Sequence, residues 1–118
     1  HPLHTFDLGR LDGDEINVRY AKAGEKFTAL DTIERKLSNS HLLICDAKKP
    51  VALAGIIGGK KSEITEESND ILIESAYFDP TITRKTAKEL EINSDAKLSH
   101  IMNKCYKILI LKQFLMQI

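Results

Sequence analysis

The stretch "HLLICDAKKPVALAGIIGG", residues 41–59, holds two near-continuous apolar runs with a short polar segment between them. Both runs are rich in leucine, isoleucine or valine and are bounded by turn-forming residues. Short apolar runs without alternation are typical of strands that are buried on both faces. Pro50 fixes the entry to the second strand. The stretch therefore predicts two buried strands joined by a tight connection.

More strands are indicated on either side of this stretch. In "EINVRYA" the residues Ile16, Val18 and Tyr20 alternate with polar ones, which indicates a half-buried strand. Gly24 supplies a turn before the next short run. Three further strands are predicted: residues 15–21 (EINVRYA), a short strand after the turn within residues 23–30 (AGEKFTAL), and residues 69–78 (NDILIESAYF).

One helix is well marked. Asp79 is a good N-cap and Pro80 suits the first helical position, ahead of "TITRKTAKELEI". Its expected buried face consists of Ile82, Ala87 and Leu90, while Thr86 is read as a solvated or packing residue. We therefore predict an α+β fold: a mostly antiparallel or mixed β-sheet of about five strands, with one helix at about residues 80–92.

Composition limits the class of protein. The chain has 118 residues, enough for one small domain and not for two. Lysine plus arginine total 17, as do aspartate plus glutamate, so the formal net charge is zero. This argues against a protein that binds nucleic acid through bulk positive charge, although a local patch stays open.

The spacing of the cysteines and the length of the apolar runs indicate the cellular compartment of the protein. Cys45 and Cys105 are too far apart in sequence for a metal-ligand pair, and the chain shows neither a disulfide framework nor a signal peptide. We therefore expect a reducing, cytoplasmic compartment. The apolar run at residues 108–111 is far too short to span a bilayer.

Two features are not explained by core formation. The adjacent Gly58 and Gly59 fit a tight turn with positive φ, or a place where a ligand approaches bare backbone. Glu74 lies in the middle of the apolar run "ILIESAYF". Either its strand is an edge strand and Glu74 faces water, or the carboxylate is kept to accept a hydrogen bond from a ligand, because an unpaired buried carboxylate is costly.

Other polar residues give weaker indications. His4, beside Phe6, fits a packed core histidine, and His1 with His4 lacks the further ligands that zinc needs. Two lysine pairs, at residues 48–49 and 60–61, fit solvated turns or contacts to phosphate. No serine, histidine and aspartate form a hydrolase motif.

Taken in order, several segments resemble one family. They are "PLHTFD", "VRYAKAGEKFTALD", "LLICDAKKPVALAGIIGG" and "SEITEESNDILIESAYFDPTITRKTAKELEINSDA". This series is similar to the editing and tRNA-binding domain of the beta subunit of bacterial phenylalanyl-tRNA synthetase. The resemblance runs from His1 to about Lys97, whereas residues 98–118 form an apolar tail that does not match. It implies a truncated fragment with a partial editing-domain fold at residues 1–97.

The resemblance also implies site residues, each placed by matching the family's motifs. The histidine of the "LH-x-FD" motif falls on His4, the first glycine of "GG" on Gly58, and the strand glutamate on Glu74. A threonine–aspartate–alanine element falls on Ser94, Asp95 and Ala96, with serine in place of threonine. His4, Ser94 and Ala96 are thus implied as catalytic, and Gly58 and Glu74 as substrate-binding.

The activity implied by the resemblance is hydrolysis of tyrosine wrongly attached to phenylalanine tRNA. The implied partners are that tRNA and the synthetase alpha subunit, and no membrane is involved. ATP and magnesium belong to other domains of the synthetase, so no cofactor is expected in this segment. Whether the chain itself is an enzyme stays open. The alternative is a non-catalytic tRNA-binding or functionless remnant.

Overall fold

The computed structural model describes residues 3–13, 15–76, 78–92 and 107–109. Within these ranges the chain forms short strands, one α-helix and two single-turn 3-10 helices. In chain order the elements are β1 (Leu3–Asp7), β2 (Asn17–Tyr20), β3 (Lys26–Thr28), β4 (Glu34–Lys36), β5 (Leu42–Cys45), β6 (Pro50–Leu53), β7 (Ile57–Gly58), β8 (Asp70–Ser75), α1 (Pro80–Glu89) and β9 (Lys107–Leu109), with 3-10 turns at Leu8–Arg10 and Lys60–Ser62.

The strands form three small sheets. Their orders are β1-β8-β9, β2-β5-β6-β7 and β3-β4. Every pairing is antiparallel except that of β8 with β9, which is parallel. The predicted α+β class with mostly antiparallel pairing is therefore confirmed, but the described residues form nine short strands in three sheets where we expected about five in one. No helix in the described part of the chain is long and apolar enough to cross a membrane.

Strand β5 supplies side chains to two core clusters. Leu43 and Cys45 enter the first cluster and Ile44, between them, enters the second. All three are at most 5% exposed, as expected of a strand buried on both faces. The first core cluster comprises Ala21, Phe27, Ala29, Leu37, Leu43, Cys45, Leu53, Ile56 and Ile92. The second core cluster comprises Phe6, Ile44, Val51, Ala52, Ala54 and Leu72.

The connection between β5 and β6 is held by one buried carboxylate. Asp46 accepts hydrogen bonds from the backbone N–H groups of Asp12, Lys48 and Lys49 and from the Lys49 ammonium. Burial alone would raise the pKa of the Asp46 carboxyl, but these donors together lower it to about 2. The tight polar connection predicted around Pro50 is thus stabilised by the Asp46 carboxylate, which accepts four hydrogen bonds.

Helix α1 begins as predicted and is shorter than predicted. The Asp79 side chain accepts from the Thr81 N–H at 2.9 Å, and Pro80 is the first helical residue. The helix ends at Glu89, and Glu91 follows with a φ of 53°. The expected end at about residue 92 is therefore three residues too far along the chain.

The buried face of α1 differs from the predicted one. Ala87 and Leu90 pack against the first core cluster, and Thr86 is buried, but Ile82 is 43% exposed. Ile82 instead lines an apolar groove of about 260 Å³ beside Tyr20. The face shifts because the Thr83 methyl rests on the bare backbone of Gly55, where an added Cβ would lie 2.9 Å from Thr83 Cγ2.

The two adjacent glycines do not form the left-handed turn that their sequence suggests. The positive φ in this region belongs to Gly55, at 72°, and the turn there divides the predicted strand into β6 and β7. Gly59 has a φ of −90° and donates its N–H to the Val51 carbonyl at 2.7 Å. A Cβ on Gly59 would lie 2.8 Å from that oxygen and 3.1 Å from the Phe27 ring. Close packing is therefore the constraint on Gly59.

The C-terminal segment contributes one described strand. Residues 107–109 form β9, which pairs with residues 70–72 of β8. This strand lies inside the segment that we separated from the domain at residue 97. That domain boundary stays a prediction.

We predict unequal effects of alanine at the two glycines. Gly59→Ala should lower the free energy of unfolding by about 1–3 kcal/mol, because the clash is with a backbone carbonyl and a buried ring. Gly58→Ala should stay within about 1 kcal/mol of wild type, because its nearest neighbour is the movable end of Leu30 at 3.3 Å. Urea unfolding of both variants measures this, and equal losses would contradict the packing explanation.

Candidate functional site: a paired histidine and glutamate on the core face of β1 and β8

His4 and Glu74 lie directly opposite each other in the antiparallel pairing of β1 with β8. Two positions along, Phe6 lies opposite Leu72, and both of these side chains belong to the second core cluster. Alternate residues of a strand share one face. The His4–Glu74 pair therefore extends the face that carries the core, at its polar end.

The burial of Glu74 decides between the two interpretations of its position. Its side chain is 15% exposed, as is that of His4. Strand β8 pairs with β1 along Ile71–Ser75, and on its other side β9 pairs with residues 70–72. Because this side chain is largely buried, the interpretation of Glu74 as a residue on a wet face is wrong.

One oxygen of this carboxylate has no hydrogen bond. Glu74 Oε2 is buried and finds no donor among the described residues. His4 Nδ1 lies 3.4 Å away, which is close enough for electrostatic contact but longer than an N–H···O bond usually is. Leaving a buried acceptor unpaired is unfavourable, by about 1–3 kcal/mol for a neutral group and more for a charged one. The site therefore presents an acceptor that a donor from outside this part of the chain would satisfy.

His4 is packed as well as paired. Its ring meets the edge of the Phe6 ring, with centroids 6.5 Å apart and an interplanar angle of 82°. Phe6 is 1% exposed, so it gives the imidazole a fixed support. The packed-histidine interpretation holds, and it is compatible with Nδ1 facing Glu74.

Gly58 is brought to the same region by its strand. Cα atoms of β7 and β1 approach to within 8 Å, so the strand with Gly58 lies beside the strand with His4. The Gly58 carbonyl accepts from the Leu30 N–H at 3.0 Å, and the Leu30 side chain covers the place of the missing Cβ. Three of the residues implied by the resemblance thus lie on neighbouring strands. Ser94, Asp95 and Ala96 lie outside the described residues.

The lysine pairs are partly engaged by the fold. Lys49 Nζ donates to Asp12, to Asp46 and to the Arg10 carbonyl. Lys60 pairs with Glu63. The solvated-turn interpretation therefore needs amendment for Lys49, whose ammonium is committed to the β5–β6 connection. In the described part of the chain, no group of three histidine, cysteine or acidic residues is placed to hold a metal ion.

Sequence reasoning missed Arg35 altogether. It lies in the charged strand "ERK", yet its side chain is only 8% exposed and bonds to both Asp31 and the Leu90 carbonyl. Burial alternates along β4, with Arg35 buried between two exposed residues. A strand of three charged residues is too short for this alternation to be recognised in the sequence.

Comparison with known proteins gives consistent similarities. A family model described as "B3/4 domain" matches residues 1–109. Phenylalanine–tRNA ligase beta subunits are 50% identical over 96 residues in Protochlamydia amoebophila, 53% over 96 in Geobacter metallireducens and 50% over 97 in Latilactobacillus sakei subsp. sakei. These matches cover 80 or 81% of this chain, which spans 12% of the length of each relative.

We predict that Glu74 lowers the stability of the fold. Glu74→Met should leave the free energy of unfolding unchanged or raise it by up to about 2 kcal/mol, because it removes a buried charge without a hydrogen-bonded partner. Asp46→Asn is the control, since that carboxylate is satisfied, and it should cost about 3 kcal/mol or more. Urea unfolding of the two variants measures the contrast. A large loss for Glu74→Met would identify Glu74 as a structural residue.

Proposed function

The chain belongs to the B3/4 domain family, and we propose that it is the part of a phenylalanine–tRNA ligase beta subunit that removes tyrosine from phenylalanine tRNA. The observation that supports the proposal is the buried Oε2 of Glu74, which lies beside His4 and accepts no hydrogen bond from the described residues. In the whole protein the segment acts with an alpha subunit, in the cytoplasm, and the sites for ATP and magnesium lie in other domains.

Recognition of tyrosine requires a polar group in an apolar surrounding. Tyrosine and phenylalanine differ by one hydroxyl, and an apolar pocket alone separates such a pair only weakly. A site that hydrogen-bonds the hydroxyl discriminates by roughly 10⁴-fold or more, because phenylalanine leaves the buried polar group unpaired. Glu74 Oε2 is the acceptor suited to this hydroxyl, and Phe6 and Leu72 supply the apolar face beside it.

The reaction is hydrolysis of an ester. Water adds to the ester carbonyl, and the bond between the carbonyl carbon and the ribose oxygen breaks. One proton of the water goes to the ribose oxygen, which leaves as the tRNA hydroxyl, and the other goes to solvent as tyrosine leaves. The ester is already activated, so positioning of water and stabilisation of the oxyanion are the main requirements. His4 positions substrate or water, the bare backbone at Gly58 allows close approach, and Ser94 and Ala96 complete the site in the matching family motif.

Affinity for tRNA comes from the whole protein in this proposal. The chain has zero formal net charge, and the ammonium of Lys49 is already held by carboxylates. Few phosphate contacts give weak binding with a shallow salt dependence. The test is to titrate labelled tRNA with the 118-residue chain at a low and a higher salt concentration. Tight binding that persists at the higher salt concentration would favour the alternative, a non-catalytic tRNA-binding module.

We predict that Glu74 recognises the tyrosine hydroxyl and takes no part in breaking the ester bond. The assay uses a chimera in which residues 1–97 replace the matching segment of the Geobacter metallireducens beta subunit, together with its alpha subunit. Glu74→Ala should slow hydrolysis of tyrosyl-tRNA roughly tenfold to a few hundredfold, the value of a hydrogen bond to a charged acceptor. Charging with phenylalanine should be unaffected. Glu74→Gln should lose less, because an amide oxygen still accepts.

Two further variants separate recognition from chemistry. His4→Ala should slow hydrolysis of tyrosyl- and phenylalanyl-tRNA alike, because its role is at the reacting ester. Glu34→Ala removes an exposed carboxylate, 60% accessible, and should change neither rate. If Glu74→Ala hydrolyses tyrosyl-tRNA at the wild-type rate with the same preference, the proposed role of Glu74 is wrong. A wild-type chimera with no hydrolysis at all would leave the non-catalytic alternative.

A further inference from the structure

Three lysine side chains line one cleft at the surface of the domain. The cleft has a volume of about 190 Å³ and lies between the β3–β4 hairpin, the start of β6 and the 3-10 turn after β7. Lys26, Lys49 and Lys61 line it, and Glu34 is the only acid among the described residues that do so. Because the whole chain has zero formal net charge, the cleft is a local excess of positive charge.

Two of these three ammonium groups are available to a ligand. Lys49 is not, because two carboxylates hold it at 2.7 and 2.8 Å. Lys26 Nζ lies 3.8 Å from Glu34 Oε1, and this ion pair contributes little because its side chains are 62% and 60% exposed. Lys61 is exposed and forms no ion pair with any described residue. The cleft therefore offers Lys26 and Lys61 to an anion.

Lys36 adds positive charge beside the cleft at a cost in stability. It is exposed and lies directly opposite Lys26 in the antiparallel pairing of β3 with β4. Like charges on directly opposite residues of two strands repel, so this pair destabilises the hairpin. A bound anion would offset the repulsion, because it attracts both ammonium groups.

Uncharged groups in the cleft suit an anion as well. Thr28 is half-buried, lies on the same strand face as Lys26, and its hydroxyl has no hydrogen-bond partner among the described residues. Gly59 contributes backbone without a side chain. Ammonium and hydroxyl donors are the groups with which proteins contact the backbone phosphates of nucleic acids.

The cleft adjoins the proposed editing site through β7. Gly59, which lines the cleft, directly follows Gly58 and forms a β-bridge with Ala29, the residue after Thr28. A tRNA whose terminal ester lies at Gly58 carries phosphates within a few nucleotides of that ester. Lys26 and Lys61 are therefore cations beside the strand that such a tRNA approaches.

We propose that this cleft binds backbone phosphates of the tRNA next to its aminoacylated 3′ end, through Lys26, Lys61 and the Thr28 hydroxyl, with Lys36 adding attraction from the side. The choice of tRNA rests on the function proposed above, whereas the binding of phosphate groups does not. The contacts position the strand and carry no sequence information. With so few cations, the binding is weak and its salt dependence is shallow.

The test measures binding of labelled phenylalanine tRNA by the 118-residue chain over a series of low salt concentrations. The cleft variant carries Lys26→Gln and Lys61→Gln together. The matched control carries Lys85→Gln and Lys88→Gln, because both lysines are exposed on α1, form no ion pair with a described residue and do not line the cleft. Both double variants change the net charge equally, and circular dichroism checks their folding. Where the cleft variant does not fold, Lys61→Gln alone replaces it.

The expected result is a loss of affinity confined to the cleft variant. It should bind tRNA roughly tenfold more weakly than wild type, and the slope of log Kd against log salt should fall by about 1.5–2, because each lost phosphate contact removes about 0.7–0.9 of it. The control should stay within about twofold of wild type. In the chimera the cleft variant should raise KM for tyrosyl-tRNA and leave kcat at saturating tRNA within about twofold, because phosphate contacts are made alike in the ground and transition states.

Inorganic phosphate is the second probe and identifies the source of the bound group. At equal ionic strength it should displace tRNA no better than chloride does. If inorganic phosphate saturates the cleft and tRNA binding does not depend on the two lysines, the cleft is a site for free anions and the choice of tRNA is wrong.

The remaining outcomes separate this proposal from the proposed function. Equal weakening in the two double variants, unchanged binding in the cleft variant, or no measurable binding by wild type at the lowest salt overturns the phosphate-binding cleft. If the chimera still hydrolyses tyrosyl-tRNA in that case, the proposed function stands. If the cleft variant alone loses affinity and the wild-type chimera does not hydrolyse tyrosyl-tRNA, the cleft stands and the proposed function is wrong.

Discussion

The β5–β6 hairpin must be covered on both faces, because consecutive residues of β5 are apolar and almost fully buried. One face is covered by the first core cluster, to which α1 and Ile92 contribute, and the other by the second, to which β1 and β8 contribute. The proposed site draws on both sides. His4 and Glu74 extend the strand face that carries Phe6 and Leu72 of the second cluster, and Ile92, two positions before Ser94 in the sequence, is buried in the first. Strand β7, which follows β6, carries Gly58 beside β1.

Buried carboxylates in the described part of the chain differ in whether their oxygens accept hydrogen bonds. Asp46 accepts four hydrogen bonds, and Asp7 accepts from the Gly9 N–H and the Ser68 hydroxyl. Both carboxylates fasten connections between strands. Glu74 differs, since its Oε2 is the only buried side-chain oxygen among the described residues that has no hydrogen-bond partner. A buried carboxylate oxygen that accepts no hydrogen bond among the described residues is the kind of group found at functional sites.

Sequence pattern predicted the elements whose own residues specify them. The buried pair β5 and β6, strand β8 and the capped start of α1 each carry a local signal, and each is present. Strand β4 was missed because three charged residues have no apolar period, and β1 was seen only as a motif. The prediction that Ile82 belongs to the buried face of α1 was wrong. Thr83 of α1 packs against the backbone of Gly55, and sequence pattern within the helix does not reveal a contact with a residue so distant in sequence. The opposition of His4 and Glu74 is likewise beyond pattern analysis, because register between remote strands depends on the whole fold. The resemblance supplied those residues, and the structure adds that two of them are cross-strand partners.

The pairing of β1 with β8 has a consequence for the order of folding. Its partners lie about 70 positions apart in a chain of 118 residues, so the pair closes a long loop. Contacts of such separation form slowly, whereas the β5–β6 hairpin closes over a few residues. During synthesis at roughly 5–20 residues per second, β1 waits several seconds for its partner strand to emerge. Throughout that interval the Phe6 side chain has no partner from β8, so the segment that contributes His4 keeps an apolar side chain uncovered while the nascent chain grows.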